Sequence, residues 1–133
     1  MAKKHEIKTA FGTDTLFNQE LAWLQAELLV NLTEFKTDSA DQLYTNAEIL
    51  KMATEDNAEL LELSGKRNPY YPGKLGVVQK DALADLLLVN GNPLEDINLI
   101  KNPTENFLVI IKDGKIYKNT TKLVEPLPLT RAT

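Results

Sequence analysis

The chain has 133 residues, 43% hydrophobic and 26% charged, enough for one folded unit with its own core and unlike a disordered sequence. Its net charge of −4 argues against a nucleic-acid partner, which asks for a basic face. The absence of cysteine excludes disulfides, thiolate metal sites and cysteine nucleophiles.

Lys3-Lys4-His5 is the one dense basic cluster, and a charged terminus accounts for it; His5 reads as a solvated side chain. Residues 6–11 predict a short strand entering the tight segment Gly12-Thr13-Asp14-Thr15. A long helix follows, because Phe17, Leu21, Leu24, Leu28, Leu32 and Phe35 recur at three- and four-residue intervals. Leu16, Trp23 and Val30 widen that stripe. Asp14 or Thr15 would be its N-cap, a short oxygen side chain accepting from an otherwise unpaired N–H.

Residues 36–44 are polar and predict a loop. Thr45-Asn46-Ala47-Glu48 has the capping-box pattern and opens a helix that runs to about Leu63. Ser64-Gly65 ends it, since glycine takes up the left-handed terminating geometry. Ile49, Leu50, Ala53, Leu60 and Leu61 fall on one side, with Asn57 in the same arc. A buried asparagine needs partners, so Asn57 is expected to hydrogen-bond to a neighbouring loop.

Residues 66–73 form a proline-bounded loop with Tyr70 and Tyr71, either a binding platform or aromatics that fold the loop onto the sheet. Gly73-Lys74 lacks the glycine spacing and following Ser/Thr of a phosphate loop. Leu75–Val78 and Leu86–Val89 predict two strands, the second stopped by Asn90-Gly91, and Asn92-Pro93 opens the next loop. Residues 94–100 predict a helical turn. Phe107–Lys112 and Lys115–Lys118 flank Asp113-Gly114, a type I′ hairpin signal. The tail Val124–Thr133 is a linker, a frayed end or a docking arm. No apolar run approaches the ~20 residues that span a bilayer, and no signal-peptide core is present, which leaves cytoplasmic as the default compartment.

The wording of KLGVVQKDALADLLLVNGNPLED at Lys74–Asp96 resembles the C-terminal signature of the metal-dependent amidohydrolase superfamily. The nearest branch is the imidazolonepropionase-like and Xaa-Pro-dipeptidase-like one. FGTDT at Phe11–Thr15 is similar to the end of the last barrel strand, where a Gly-(Ser/Thr)-Asp segment presents the metal-site aspartate. Ala47–Leu63 resembles the helix before the return to the β-sandwich. Ser64–Val78 resembles the linker and strand after it, and Asn106–Asn119 the closing hairpin. Asp81 stands where members usually carry glycine, and Asn90 where aspartate is frequent; these departures point to altered turn geometry or sequence drift and do not touch the chemistry.

The resemblance implies an α+β partial fold: the last strand and helices of an amidohydrolase β/α barrel, then the C-terminal part of the β-sandwich. Residues 1–65 would be the barrel-derived strand and two helices, 66–119 a small sandwich-derived sheet, and 120–133 a tail. It also implies a parent enzyme that hydrolyses an amide or peptide-like C–N bond with zinc or a similar divalent metal. The family builds its site from histidines, a lysine or glutamate, and a terminal aspartate at the ends of barrel strands. Only Asp14 matches that set here, as catalytic residue and metal ligand; His5 matches none of it.

A catalytic zinc takes three protein ligands, so the isolated chain is expected to carry no cofactor and no hydrolase activity. By itself Asp14 reads as a helix N-cap; beside a partner that supplies the barrel it reads as metal ligand and proton shuttle. Met1 precedes a stretch that is interior in relatives, so the start is expected to be internal to a longer enzyme. The expected partner is the missing barrel portion or a second copy in a homo-oligomer, because a lone barrel strand and part of a sandwich leave open edges and apolar faces. The alternative is a non-enzymatic, self-associating or partner-binding module derived from such an enzyme. Neither nucleic acid nor membrane is expected as a partner.

Overall fold

In the computed structural model, which describes residues 2–14, 21–39 and 41–121, helices pack together and onto one end of a small antiparallel sheet. The chain is α+β. No described helix is long and apolar enough to cross a membrane.

Helix α1 (Ala22–Asn31) tightens into a 3₁₀ turn at Leu32–Glu34 and leaves the helix at Phe35, whose ψ is 131°. Among its described side chains Leu29 and Val30 are buried, at 7% and 2% exposure, and α1 packs on the 3₁₀ turn Ile97–Lys101. Phe35, expected on the apolar stripe, is 56% exposed because the chain turns extended there. The earlier part of the expected helix, with Thr15, Leu16 and Phe17, lies outside the described residues, as does the tail from residue 122.

The capping box forms at Thr45. Its hydroxyl accepts from the Glu48 N–H, and the Glu48 carboxylate accepts from the Thr45 N–H at 2.8 Å. Lys3 donates to the same carboxylate, and that bond, ahead of the Thr45 amide, holds Glu48 below the usual carboxylate range. From this cap, α2 (Asn46–Lys51) and α3 (Asn57–Glu62) form one run interrupted by a π-turn over Met52–Asp56.

A π-turn accommodates an extra residue, so everything beyond it is rotated by about 100° relative to a regular helix. Ile49 and Met52, before or within the turn, are 0% and 6% exposed, yet Leu60, expected on their side, is 55% exposed. Leu61, expected on the same side, is half-buried. Lys51 and Asp56, five residues apart, meet at 2.5 Å across the widened turn. The run ends as expected, with Gly65 at φ 55°.

Strands β1 (Leu86–Val89), β2 (Phe107–Lys112) and β3 (Lys115–Asn119) pair antiparallel in that order. Leu86 faces Ile111 and Leu88 faces Val109. Asp113 and Gly114 have φ of 51° and 71°, the positive values a tight β2–β3 turn requires. The strand expected at Leu75–Val78 is absent: Gly76 turns left-handed at φ 78° and lays this segment on the helix, leaving only an isolated parallel bridge from Lys74 to Ala82. The strand expected over residues 6–11 does not form: Glu6 is left-handed at φ 53°, and residues 7–11 lie outside helix and strand and belong to no described strand pair. Asp81 has φ 65°, a conformation that glycine adopts with least strain.

The core gathers Leu29, Val30, Ile49, Met52, Ile97 and Ile100, with Phe11, Tyr44, Val89 and Phe107 packed around it. The sheet meets it at one end, so Leu87 and Leu88, which point to opposite faces, stay 53% and 51% exposed.

Asp85 braces the hairpin from outside the strands. It accepts from the Asp113 N–H at 2.6 Å and pairs with Lys112. Lys112, then the Asp113 amide, lowers the Asp85 pKa below its ordinary 3.8. A depressed carboxylate stabilises the fold above its unfolded-state pKa, and that contribution is lost as pH falls through the lower folded value. Acid titration below pH 3.8 is therefore expected to loosen the β2–β3 turn in the parent chain. In Asp85→Asn the same turn should show no such step, read by amide exchange at Asp113 and Gly114. Equal acid profiles for the two proteins would remove Asp85 from this role.

Candidate functional site

Residues 7–14 lie outside helix and strand and are pinned to the α2–α3 helix at Lys8, Thr9 and Phe11. Lys8 pairs with Glu59 and lies 3.8 Å from Asp56. The Thr9 hydroxyl donates to the Met52 sulfur at 3.2 Å. The Phe11 N–H donates to Asn57 Oδ1 at 2.9 Å, and the Phe11 side chain packs on the core. The partner expected for Asn57 is thus the backbone of this segment.

Asp14 stands at the end of the pinned stretch, exposed, with φ 53°. An N-cap residue normally has extended backbone, so this left-handed value counts against a simple cap. Thr15, the other candidate cap, lies outside the described residues.

His5 closes an exposed 3₁₀ turn, Lys3–His5. Among the described residues no three His, Cys, Asp or Glu side chains come together to hold a metal ion. Asp14 offers one carboxylate where a catalytic metal takes three protein ligands, so these residues alone do not fit the group.

A cleft of about 300 Å³ opens beside the pinned segment, walled by Ile7, Thr9, Tyr44, Lys51, Met52 and Asp56. Lys51 lies 2.5 Å from Asp56 and 2.9 Å from Glu55, and those hydrogen bonds, Asp56 first, raise its pKa. A lysine so held keeps its proton at neutral pH and is a structural cation rather than a base. The tyrosine loop is folded against the sheet: Lys112 sits over the Tyr70 ring at 4.6 Å, while Tyr71 is 59% exposed.

Lys8 and Asp56 carry no sequence signal for these contacts, since their meeting depends on the π-turn and on the path of residues 7–14. For Asp85, an aspartate directly before a strand and opposite an Asp-Gly turn is a usable signal.

Asn57→Ala leaves the Phe11 N–H without its acceptor, and is expected to cost about 1–3 kcal/mol. Amide exchange at Phe11 should quicken with it. Unchanged exchange there would mean that Asn57 does not anchor the segment.

No protein-family model matches the sequence, and no curated protein matches it. Solved structures do. The crystal structure of an amidohydrolase superposes with a TM-score of 0.68 at 29% identity, over 90% of this chain and 25% of that one. A prolidase crystallised with N-methylphosphonate-L-proline gives 0.65 at 28%, over 88% of this chain and 24% of that one. The fold is similar to a segment of these amidohydrolase and prolidase chains. It spans about a quarter of the length of the chains it matches, consistent with a C-terminal segment.

Proposed function

We propose that this chain is the C-terminal portion of a metal-dependent amidohydrolase of the imidazolonepropionase-like or Xaa-Pro-dipeptidase-like branch. In this reading residues 7–14 and the helices are the last strand and helices of the barrel, and the β1–β3 sheet is a share of the sandwich. The observation that carries it is the superposition of 90% of the chain on an amidohydrolase at 29% identity. The parent reaction is hydrolysis of an amide or peptide-like C–N bond, with zinc or a similar divalent ion as cofactor. Asp14 is the single ligand this chain contributes; the FGTDT wording and the pinning of Phe11 to Asn57 just before it support that role. The other ligands belong to the rest of the enzyme, so the chain alone is inactive.

The test is a chimera in which this chain replaces the last quarter of the matching amidohydrolase. Chelator-sensitive hydrolysis that Asp14→Asn abolishes, with stoichiometric bound metal, is the expected result. A folded, assembled chimera with neither metal nor turnover overturns the proposal.

A second reading is a self-associating module derived from such an enzyme. Exposed apolar side chains favour it, with Leu87 at 53%, Leu88 at 51%, Ile116 at 62% and Tyr117 at 69% open. Covering such surface drives association. Light scattering of the isolated chain at micromolar concentration is expected to show a dimer or larger species, and a monodisperse monomer would rule it out.

A further inference from the structure

Asn90-Gly91 is the sequence's single asparagine-glycine pair, and it falls just past the end of β1. Asn90 is exposed, and both residues lie outside helix and strand. Gly91 has φ 120°, a backbone region that side-chain-bearing residues rarely enter. The pair is tied down on one side only. The Asn90 N–H donates to the Asn106 carbonyl at 2.8 Å, whereas among the described residues none accepts from the Gly91 N–H or holds the Asn90 side-chain amide.

We propose that Asn90 is a self-modification site, deamidating through a cyclic imide formed with Gly91. The main-chain nitrogen of Gly91 gives up its proton and bonds to Asn90 Cγ. The Cγ–Nδ2 bond breaks, and the side-chain nitrogen departs with that proton as ammonia. Water then opens the ring at either carbonyl, which leaves aspartate or isoaspartate at position 90. One water is consumed, one ammonia is released, and no oxidant or reductant takes part. Glycine makes the attack accessible because it has no Cβ to crowd the approaching nitrogen.

The other asparagines supply internal controls. Asn68, Asn92 and Asn102 precede proline, whose nitrogen has no proton to lose. Asn57 and Asn106 have their side chains committed, to the Phe11 N–H at 2.9 Å and to the Leu99 carbonyl at 2.9 Å. Isoaspartate would insert a carbon into the main chain beside a tight spot, since a Cβ on Gly91 would lie 2.8 Å from Leu99 Cδ1. The product therefore disturbs the Asn90–Asn106 bond and the Leu99 packing next to buried Ile100.

The experiment is to age the purified chain at physiological temperature over a range of mildly alkaline pH. Isoelectric focusing follows its charge, and fragmentation of the tryptic peptide Asp81–Lys101 locates the change. An acidic species should accumulate faster at higher pH, map to position 90 with isoaspartate in excess, and be lost in Asn90→Gln. Position 90 staying intact in the folded chain while it reacts in the denatured chain overturns the proposal. So does an acidic species that maps elsewhere or persists in Asn90→Gln.

Discussion

Ile49→Ala is expected to lower the free energy of unfolding by about 2–5 kcal/mol. Ile49 is fully buried, at 0% exposure, in the cluster that joins α1, the α2–α3 helix and the 3₁₀ turn Ile97–Lys101. Truncating it removes apolar contact from three elements at once and leaves a cavity that neither helix can fill without shifting its neighbour. Small domains have roughly 5–15 kcal/mol of net stability, so this one change would consume a large part of it. Urea unfolding should show a lower midpoint with an unchanged slope. A loss under about 1 kcal/mol would show that the site collapses around the smaller side chain.

Gly76→Ala should be of similar size, for a different reason. A Cβ there would stand 2.6 Å from the Thr54 carbonyl oxygen and 3.0 Å from Ala58 Cβ, and φ is 78°. The left-handed backbone costs roughly 1–2 kcal/mol for a residue with a Cβ. Forcing an atom against a helix carbonyl adds about 1–3 kcal/mol, because backbone cannot step aside as a side-chain tip can. The substitution is expected to lift residues 74–78 off the helix. Limited proteolysis within 66–85 should then begin well before global unfolding. A Gly76→Ala protein as stable and as protease-resistant as its parent would mean the close approach does not exist.

Where each signal is local, it was legible in the residues. Thr45 and Glu48 stand three apart, so the box they close depends on no distant partner. Asp113-Gly114 dictates positive φ by its own steric freedom, and the hairpin follows. Gly65 ends the long helix for the same reason. As a metal-site residue Asp14 is legible only through the FGTDT resemblance; by its own pattern it reads as a helix N-cap candidate. Its anchor was half legible: the position of Asn57 demanded a partner, but not which backbone would supply it.

By itself, then, the sequence determined the caps, the tight turns, the strand pair around Asp113-Gly114 and the likeness to amidohydrolases. Tertiary structure decided what lies buried. Periodicity assumes 3.6 residues per turn, and the π-turn at Met52–Asp56 breaks that assumption, exposing Leu60 and bringing Lys51 onto Asp56. An apolar run such as Leu75–Val78 becomes a strand only if another strand's N–H and C=O groups lie alongside it. Here the surface alongside is the helix at Thr54 and Ala58, and Gly76 bends the chain to meet it. Hydrogen-bonding partners distant in sequence cannot be read from the run that needs them.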